Sequence, residues 1–299
     1  MIGIGVVGYG YWGPNLLRNL FEAPNARVVA VSDPRKEALD LVRRRYPGVE
    51  VFADMEDILA HPQIDAIAIA TPPATHYELI RRALEQGKHV LVTKPLATSS
   101  EQAMRLIDLA LKRRCVLMVD HTFIYTPAVR KIHELTTSQE LGDIYYYDSA
   151  RVNLGLFQHD VNVLWDLAVH DISIMDYVLT AKPIAVSATG VSHIPGEPEN
   201  IAYLTLFFDD SLIGHIHVNW LSTVKIRRTL IGGNRKMIVY DDLEPSEKVK
   251  VYDRGIILDI NPENIYKMLV GYRTGDMRAP QLEMSEALST EVKHFLDCI

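Results

Sequence analysis

Cysteine is scarce: the 299 residues contain two, Cys115 inside an apolar run and Cys298 beside the end of the chain. Two cysteines so placed build neither a disulfide framework nor a C-x-x-C metal knuckle, which suits a reducing compartment. Basic charge is also short. There are 31 Lys and Arg against 38 Asp and Glu, a net charge of −7, whereas nucleic-acid binding usually needs a basic surface to neutralise phosphates. No run of about 18 apolar residues is present to span a membrane. The opening MIGIGVVGYG has no basic leader before its apolar stretch and no small-residue cleavage pattern. Glycine and proline, at 17 and 15, are too few and too irregular for a collagen-like or disordered chain. The expectation is a cytoplasmic protein with a small-molecule partner, without nucleic acid, membrane or metal.

At roughly 100 to 200 residues per domain the length predicts two domains. Up to about residue 120, short apolar runs (2–7, 28–32, 50–52, 66–70, 89–92, 116–119) alternate with amphipathic stretches such as 14–21. That is the order of a parallel sheet covered on both faces. Beyond a helix at 127–135 the pattern changes to successive β-branched and aromatic strands (143–150, 183–193, 201–208, 212–220, 225–231, 235–240), punctuated by the hairpin signals Asp209-Asp210 and Gly232-Gly233. One strong helix, 163–179, interrupts them, and a last one begins near Glu283. The predicted fold is α/β: a doubly wound Rossmann domain over 1–121, then an α+β domain on an open, mostly antiparallel sheet over 122–299. Because the sequence stops inside an amphipathic helix at Ile299, the natural protein is expected to extend further.

Gly8-Tyr9-Gly10-Tyr11-Trp12-Gly13 matches G-x-G-x-x-G. The match is weak alone and strong in context, because it follows a strand and opens the Pro14 helix. The first glycine can make the tight turn, the second admits a pyrophosphate, and the third lets helix and strand approach, with the helix N-terminus facing the phosphates. Asp33 ends the second strand, 20 residues past Gly13, where a carboxylate can accept the adenosine ribose hydroxyls. NAD is therefore the expected cofactor. NADP is the less favoured one: Arg35 and Lys36 could hold a 2′-phosphate, but Asp33 would repel it.

Lys94 follows the fifth apolar strand and precedes Pro95, at the sheet edge where doubly wound folds bind ligands. Spacing alone does not separate a functional lysine from a solvated one. Taken together, the glycine loop, Asp33-Pro34, Ala70-Thr71-Pro72-Pro73-x-x-His76, Gly87-Lys88-His89-Val90 leading to Lys94-Pro95, and Asp166-x-x-x-His170-Asp171 run in the order found in one family. The chain resembles the Gfo/Idh/MocA oxidoreductases (glucose-fructose oxidoreductase, inositol dehydrogenase, rhizopine catabolism) over nearly its whole length. The resemblance implies a Rossmann domain before an open antiparallel sheet, and NAD(P)-dependent oxidation or reduction of secondary alcohols on sugars or cyclitols. It also implies that Thr71, Pro72, His76, Thr93 and Lys94 line the nicotinamide side. One departure is that Thr93 stands where the family commonly has glutamate.

On the 163–179 helix, Asp166, His170 and Ser173 share one face. A carboxylate one turn before a histidine can orient the ring and favour its protonated form, which suits a general acid/base; a surface pair without function is the plain alternative. Matched position by position to the family, Lys94, Asp166 and His170 are the catalytic candidates. His170 would take the hydroxyl proton, Lys94 would stabilise the alkoxide and the hydride would pass to NAD. Asp171 is expected to cap, pair with a basic group or meet substrate, and Tyr125, Arg151, Asn153 and His159 are candidate substrate contacts.

The run 160–173 looks most like family members that act on nucleotide sugars, at a ring hydroxyl such as the 3-OH. Alternatives are an NAD-retaining hydrolase or epimerase using transient oxidation, and a dinucleotide-binding sensor without turnover. Three further features have plainer readings. His215 and His217 suit cross-strand packing better than metal binding, Arg43-Arg44-Arg45 a solvated helix face, and Tyr145-Tyr146-Tyr147 strand packing or subunit contact. The apolar residues of the second sheet predict a homodimer or homotetramer.

Overall fold

The computed structural model describes residues 1–155, 161–209, 211–258 and 270–299. Its chain divides into two compact units, residues 1–125 with 285–299, and residues 126–284. The seam thus falls four residues beyond the expected one, and the last helix joins the first unit rather than the second.

In the first unit, β1 (Ile2–Val7), β2 (Ala26–Ser32), β3 (Glu50–Phe52), β4 (Ala66–Ile69), β5 (His89–Thr93) and β6 (Leu117–Asp120) form a parallel sheet in the order β3-β2-β1-β4-β5-β6. This is the doubly wound Rossmann order. Helices α1 (Gly13–Glu22), α2 (Lys36–Arg45), α3 (Met55–Leu59), α4 (Pro73–Glu85) and α5 (Ser100–Arg113) connect the strands. Both sheet faces are apolar, so each strand is a nearly continuous buried run. On one face Ile4 and Val6 pack with Leu16, Leu17 and Leu20 of α1; on the other, Val7, Ile67 and Ile69 meet Ile58, Ile80, Leu84 and Leu106.

The last helix of the chain contributes Leu288, Val292, Phe295 and Leu296 to the α1 side of this core. Burying four such side chains is worth about 1.5–3 kcal/mol each, which explains why the helix leaves the unit that precedes it in sequence. Its N-terminus is tied down by Arg18, which pairs with Glu286 at 2.5 Å.

The second unit opens with α6 (Pro127–Thr137), whose N-cap Thr126 accepts from the Val129 amide. It continues through β7 (Ile144–Leu154) and a helix whose first turn, Leu164–Ala168, is π and whose remainder is α7 (Val169–Val178). Then follow β8 (Ala185–Val191), β9 (Ile201–Phe207), β10 (Ile213–Asn219), β11 (Leu221–Gly233), β12 (Met237–Asp241), β13 (Val249–Tyr252), β14 (Gly255–Leu258), β15 (Val270–Arg273) and β16 (Met277–Arg278). Helix α8 (Ala287–Cys298) closes the chain.

The large sheet runs β16-β13-β12-β11-β7-β10-β9-β8, antiparallel except for the β7–β10 pair. Of the two hairpin signals, Gly232-Gly233 closes β11 just before the turn to β12, where the Gly233 amide donates to the Lys236 carbonyl; Asp210 of the other lies outside the described residues. Strand alternation sends Ile216, Val218, Ala202 and Leu204 into the core. Among the described residues no helix is long and apolar enough to cross a membrane.

Candidate active site

The glycine loop lies where β1 hands the chain to α1. Gly8 has φ +93°, and a β-carbon there would stand 2.6 Å from the Ala70 carbonyl oxygen, so no other residue fits. At Gly13 a β-carbon would meet the Gly8 carbonyl oxygen at 2.4 Å, which sets how closely α1 begins against the loop. Gly10 is different: the nearest neighbour of a β-carbon there is the Arg35 guanidinium at 3.8 Å. Its face opens on a cavity of about 830 Å³, lined also by Trp12, Asp33, Thr71, Pro72 and Thr93. A groove of this size, with a bare glycine backbone and a helix N-terminus on one wall and an acid on the other, fits a dinucleotide.

Asp33 is almost fully buried, 4% exposed, while its partner Arg35 is 58% exposed. The carboxylate accepts from the Tyr9 amide at 2.8 Å, the Arg35 amide at 2.9 Å, and Arg35 Nε and Nη2 at 2.9 and 2.8 Å. Burial works to raise the acid, but Arg35 and the two amides outweigh it and hold Asp33 below the usual carboxylate range. A carboxylate offers about four lone-pair sites, and these donors take all of them. Ribose hydroxyls can reach Asp33 once the Arg35 side chain, free on its solvent side, moves aside.

Thr93 ends β5 opposite Asp120 of β6, which puts Lys94 and His121 at the carboxyl edge of the sheet on neighbouring strands. Burial holds the His121 imidazole below its ordinary range, the Lys94 charge adds to this and Asp120 opposes it. Asp120 reaches back to the glycine loop, accepting from Trp12 Nε1 at 2.5 Å. His121, Asp120 and their link to Trp12 were not among the expected site residues. The signal was present, since both stand at the carboxyl end of a parallel strand, but neither belongs to a recognisable motif.

Three expected contacts in this unit have other surroundings. His76 is fully buried, with Nδ1 2.7 Å from the Pro95 carbonyl oxygen and Nε2 2.9 Å from that of Thr71. It therefore ties the two segments that carry Thr71 and Lys94 from behind. The Tyr9 ring lies in the core, and only its amide serves the site. The Tyr125 hydroxyl contacts His294 Nδ1 at 2.7 Å.

In the second unit Asn162 caps the helical segment, its Oδ1 accepting from the Leu164 and Trp165 amides. The π turn corrects the expected regular α spacing of Asp166 and His170: Asp166 lies inside the widened turn, and His170 belongs to the α-helical part. π turns recur at functional sites because they re-aim side chains. Asp166 Oδ2 accepts from Trp220 Nε1 at 3.0 Å, and Trp220 is buried. This tryptophan, at the β10–β11 junction, was expected only among the apolar residues of the second sheet; its contact with Asp166 was not read from the sequence.

Asp171 pairs with a basic group, as one of its expected roles had it, and the partner is Arg151. Both side chains are within 4% of complete burial, with Nε 2.6 Å from Oδ2. Ser149 donates to the same carboxylate at 2.6 Å, and the Tyr147 hydroxyl donates to the Asp171 carbonyl. Alternation along β7 thus aims Tyr147, Ser149 and Arg151 at the base of α7. Arg151 fastens the helix that carries His170 instead of offering a free guanidinium to substrate. The Asn153 amide lies near Gly155, against which Trp220 packs. His159 falls outside the described residues.

His215 and His217 stack with Tyr203, the latter at 4.4 Å between ring centroids, as cross-strand packing requires. Among the described residues no group of three His, Cys, Asp or Glu could hold a metal ion.

Comparison with known proteins joins these two halves. Residues 2–121 match the oxidoreductase family with NAD-binding Rossmann fold, and residues 129–239 match the GFO/IDH/MocA C-terminal domain. A scyllo-inositol 2-dehydrogenase (NAD(+)) from Bacillus subtilis is 26% identical over 100% of this chain and 85% of its own length. A UDP-N-acetylglucosamine 3-dehydrogenase from Acidithiobacillus ferrooxidans is 26% identical over 99% and 88%. The fold is shared with GenD2 from gentamicin A biosynthesis, solved in complex with NAD, at a TM-score of 0.79 and 23% identity over 98% of this chain and 84% of that one. The chain belongs to the GFO/IDH/MocA oxidoreductase family, as an NAD-binding dehydrogenase that acts on alcohol groups.

Proposed function

We propose that the chain oxidises a secondary alcohol on the ring of a cyclitol or a nucleotide sugar, the latter at its 3-hydroxyl, with Lys94 and His170 handling the reacting hydroxyl. The carrying observation is the anchoring of Asp166 by the buried Trp220 indole within a π turn directly before His170. A carboxylate so fixed can orient a neighbouring imidazole, and His170 then accepts the hydroxyl proton as a general base. Lys94 supplies a positive charge to the alkoxide. NAD, when bound, supplies the hydride acceptor. Asp166 is a positioning residue, and Arg151 and Asp171 hold the helix beneath it. The substrate class is supported by the two relatives, whose names specify an inositol and a UDP-linked amino sugar.

Purified protein with NAD and a panel of inositols, sugars and nucleotide sugars tests the reading through NADH absorbance. Net NADH with one cyclitol or nucleotide sugar is expected. Product without NADH would replace the reading with an NAD-retaining hydrolase or epimerase, and tight NAD binding without product with a sensor.

The assembly is proposed to be a homodimer or homotetramer. Val191, Tyr203, Phe207 and Ile213 stand more than a third exposed on one face of neighbouring strands β8, β9 and β10, an apolar face that a second copy would cover. Light scattering should give a multiple of 33.8 kDa; a single 33.8 kDa species would contradict it.

A further inference from the structure

Helix α8 carries one acid on its buried stripe. Glu291 stands beside Leu288, Val292 and Phe295 with no solvent exposure, and among the described residues neither of its carboxyl oxygens receives a hydrogen bond from a donor. What faces it is a second acid, Asp120 at the end of β6, with the His121 amide and Thr122 alongside. Two carboxylates in a dry interior cannot both be ionised, because each charge loses its hydration and repels the other.

The donors decide which one keeps the charge. Asp120 accepts from Trp12 Nε1 at 2.5 Å, from the Thr122 amide at 3.2 Å and from the Thr122 hydroxyl, all of which favour its ionised form. The His121 amide and Thr122 beside Glu291 favour its ionised form, but full burial and the Asp120 charge outweigh them, so the proton belongs to Glu291, whose O–H can then donate to Asp120. Burial first, then the Asp120 charge, push the Glu291 carboxyl up to about 10, in agreement with this assignment. Next to Asp120, the His121 ring is held below its ordinary range by burial, with the Lys94 charge adding to this; His294, one turn further along α8, bonds Tyr125.

We propose that Glu291 is a positioning residue for the dinucleotide loop: as a neutral carboxylic acid it donates to Asp120 and so fixes the carboxylate that holds Trp12. Trp12 lines the cofactor cavity and is the residue before Gly13, where α1 begins. Its indole, clamped by Asp120, sets the stretch of loop whose amides face the cofactor phosphates. The last helix thereby serves the cofactor site without lining it. Ionisation of Glu291 would place a second negative charge against Asp120 and loosen its hold on Trp12. The inference rests on NAD binding alone and stands apart from the choice of substrate.

The test is NAD affinity by calorimetry on the intact chain, from neutral pH to about 10, for the wild type, Glu291→Gln and Asp120→Asn. Wild-type affinity is expected to hold at neutral pH and to fall about two-fold by about pH 10, where half of Glu291 is ionised. Glu291→Gln keeps a donor toward Asp120 at every pH, so its affinity should stay flat over the same range, which separates this effect from titrating lysines and tyrosines. Asp120→Asn should weaken NAD about ten-fold already at neutral pH, by weakening the charge-assisted bond to Trp12. Parallel wild-type and Glu291→Gln profiles would overturn the proposal. An infrared difference spectrum between those two proteins at neutral pH reads the proton directly: a protonated carboxylic band lost in the variant is expected, and an ionised-carboxylate band in its place would overturn the proposal.

Discussion

Asp33 and Asp171 are each gripped by an arginine, one pair in each unit, at 2.8 and 2.6 Å. Their surroundings differ. Arg35 reaches Asp33 from solvent with more than half of its side chain exposed, whereas Arg151 and Asp171 are both sealed in the core. An exposed guanidinium can leave its carboxylate at little cost, because water replaces the lost hydrogen bonds. A sealed one cannot, because separation would strand two unhydrated charges. The first pair is therefore an exchangeable contact at the mouth of a ligand groove. The second is a fixed strut beneath the helix that carries His170.

The largest expected effects fall on neither pair. Lys94→Met or His170→Ala should lower turnover by about 10²- to 10⁴-fold while NAD binding measured by calorimetry stays close to wild type. If NAD affinity collapses with turnover, the division of labour between the two units fails. Next comes the strut. Arg151→Met leaves Asp171 buried without its cation, and should cost about 3–5 kcal/mol in denaturant unfolding, well above the cost of Arg35→Met, which leaves Asp33 its two amide donors. Similar losses for the two substitutions would erase the distinction drawn between the pairs.

The same contrast explains what could be read from the sequence. The cofactor half was legible because its parts are backbone devices with fixed spacing: Gly8 must turn, Gly13 must let α1 approach, and Asp33 must end β2. Each leaves a residue type that little else demands. The second half depends on side chains brought together across the sheet. Arg151 and Asp171 are 20 residues apart, and Trp220 reaches Asp166 across 54; periodicity carries no information about either meeting. The π turn was invisible for a related reason, since apolar spacing fits an α-helix nearly as well. His76 shows the limit in the other direction: its position in a motif marked it as important, while its burial between two carbonyls makes it a brace. The return of α8 was hidden too, since its apolar stripe specifies burial without specifying against what.

Asp33 itself ranks third. Asp33→Ala should weaken NAD about 10- to 100-fold, the worth of a hydrogen bond to a charged group, and calorimetry checks it. Acid should act in the same direction. Asp33 is held below the usual carboxylate range, so its contribution to stability is present above the ordinary Asp pKa and is lost as pH falls through the depressed value. A pH–stability curve that is unchanged between wild type and Asp33→Asn in that acid window would show the charge to be idle.

The smallest effect is the most discriminating one. In the structure Arg35 fills Asp33 acceptor sites that ribose hydroxyls would need, so NAD binding must displace a hydrogen-bonded guanidinium. Arg35→Ala removes that competition and should tighten NAD by a few-fold at most, since Asp33 keeps its two amide donors in the free protein whether or not Arg35 is present. For NADP the sign reverses. There a displaced Arg35 is the nearby cation that could meet a 2′-phosphate, and its loss should weaken an affinity that Asp33 already keeps low. Titrating both dinucleotides against wild type and Arg35→Ala measures the ratio directly. A variant that loses NAD and NADP equally would mean that Arg35 holds a part common to both, and the Asp33–Arg35 pair would then be a fixed strut like Asp171–Arg151.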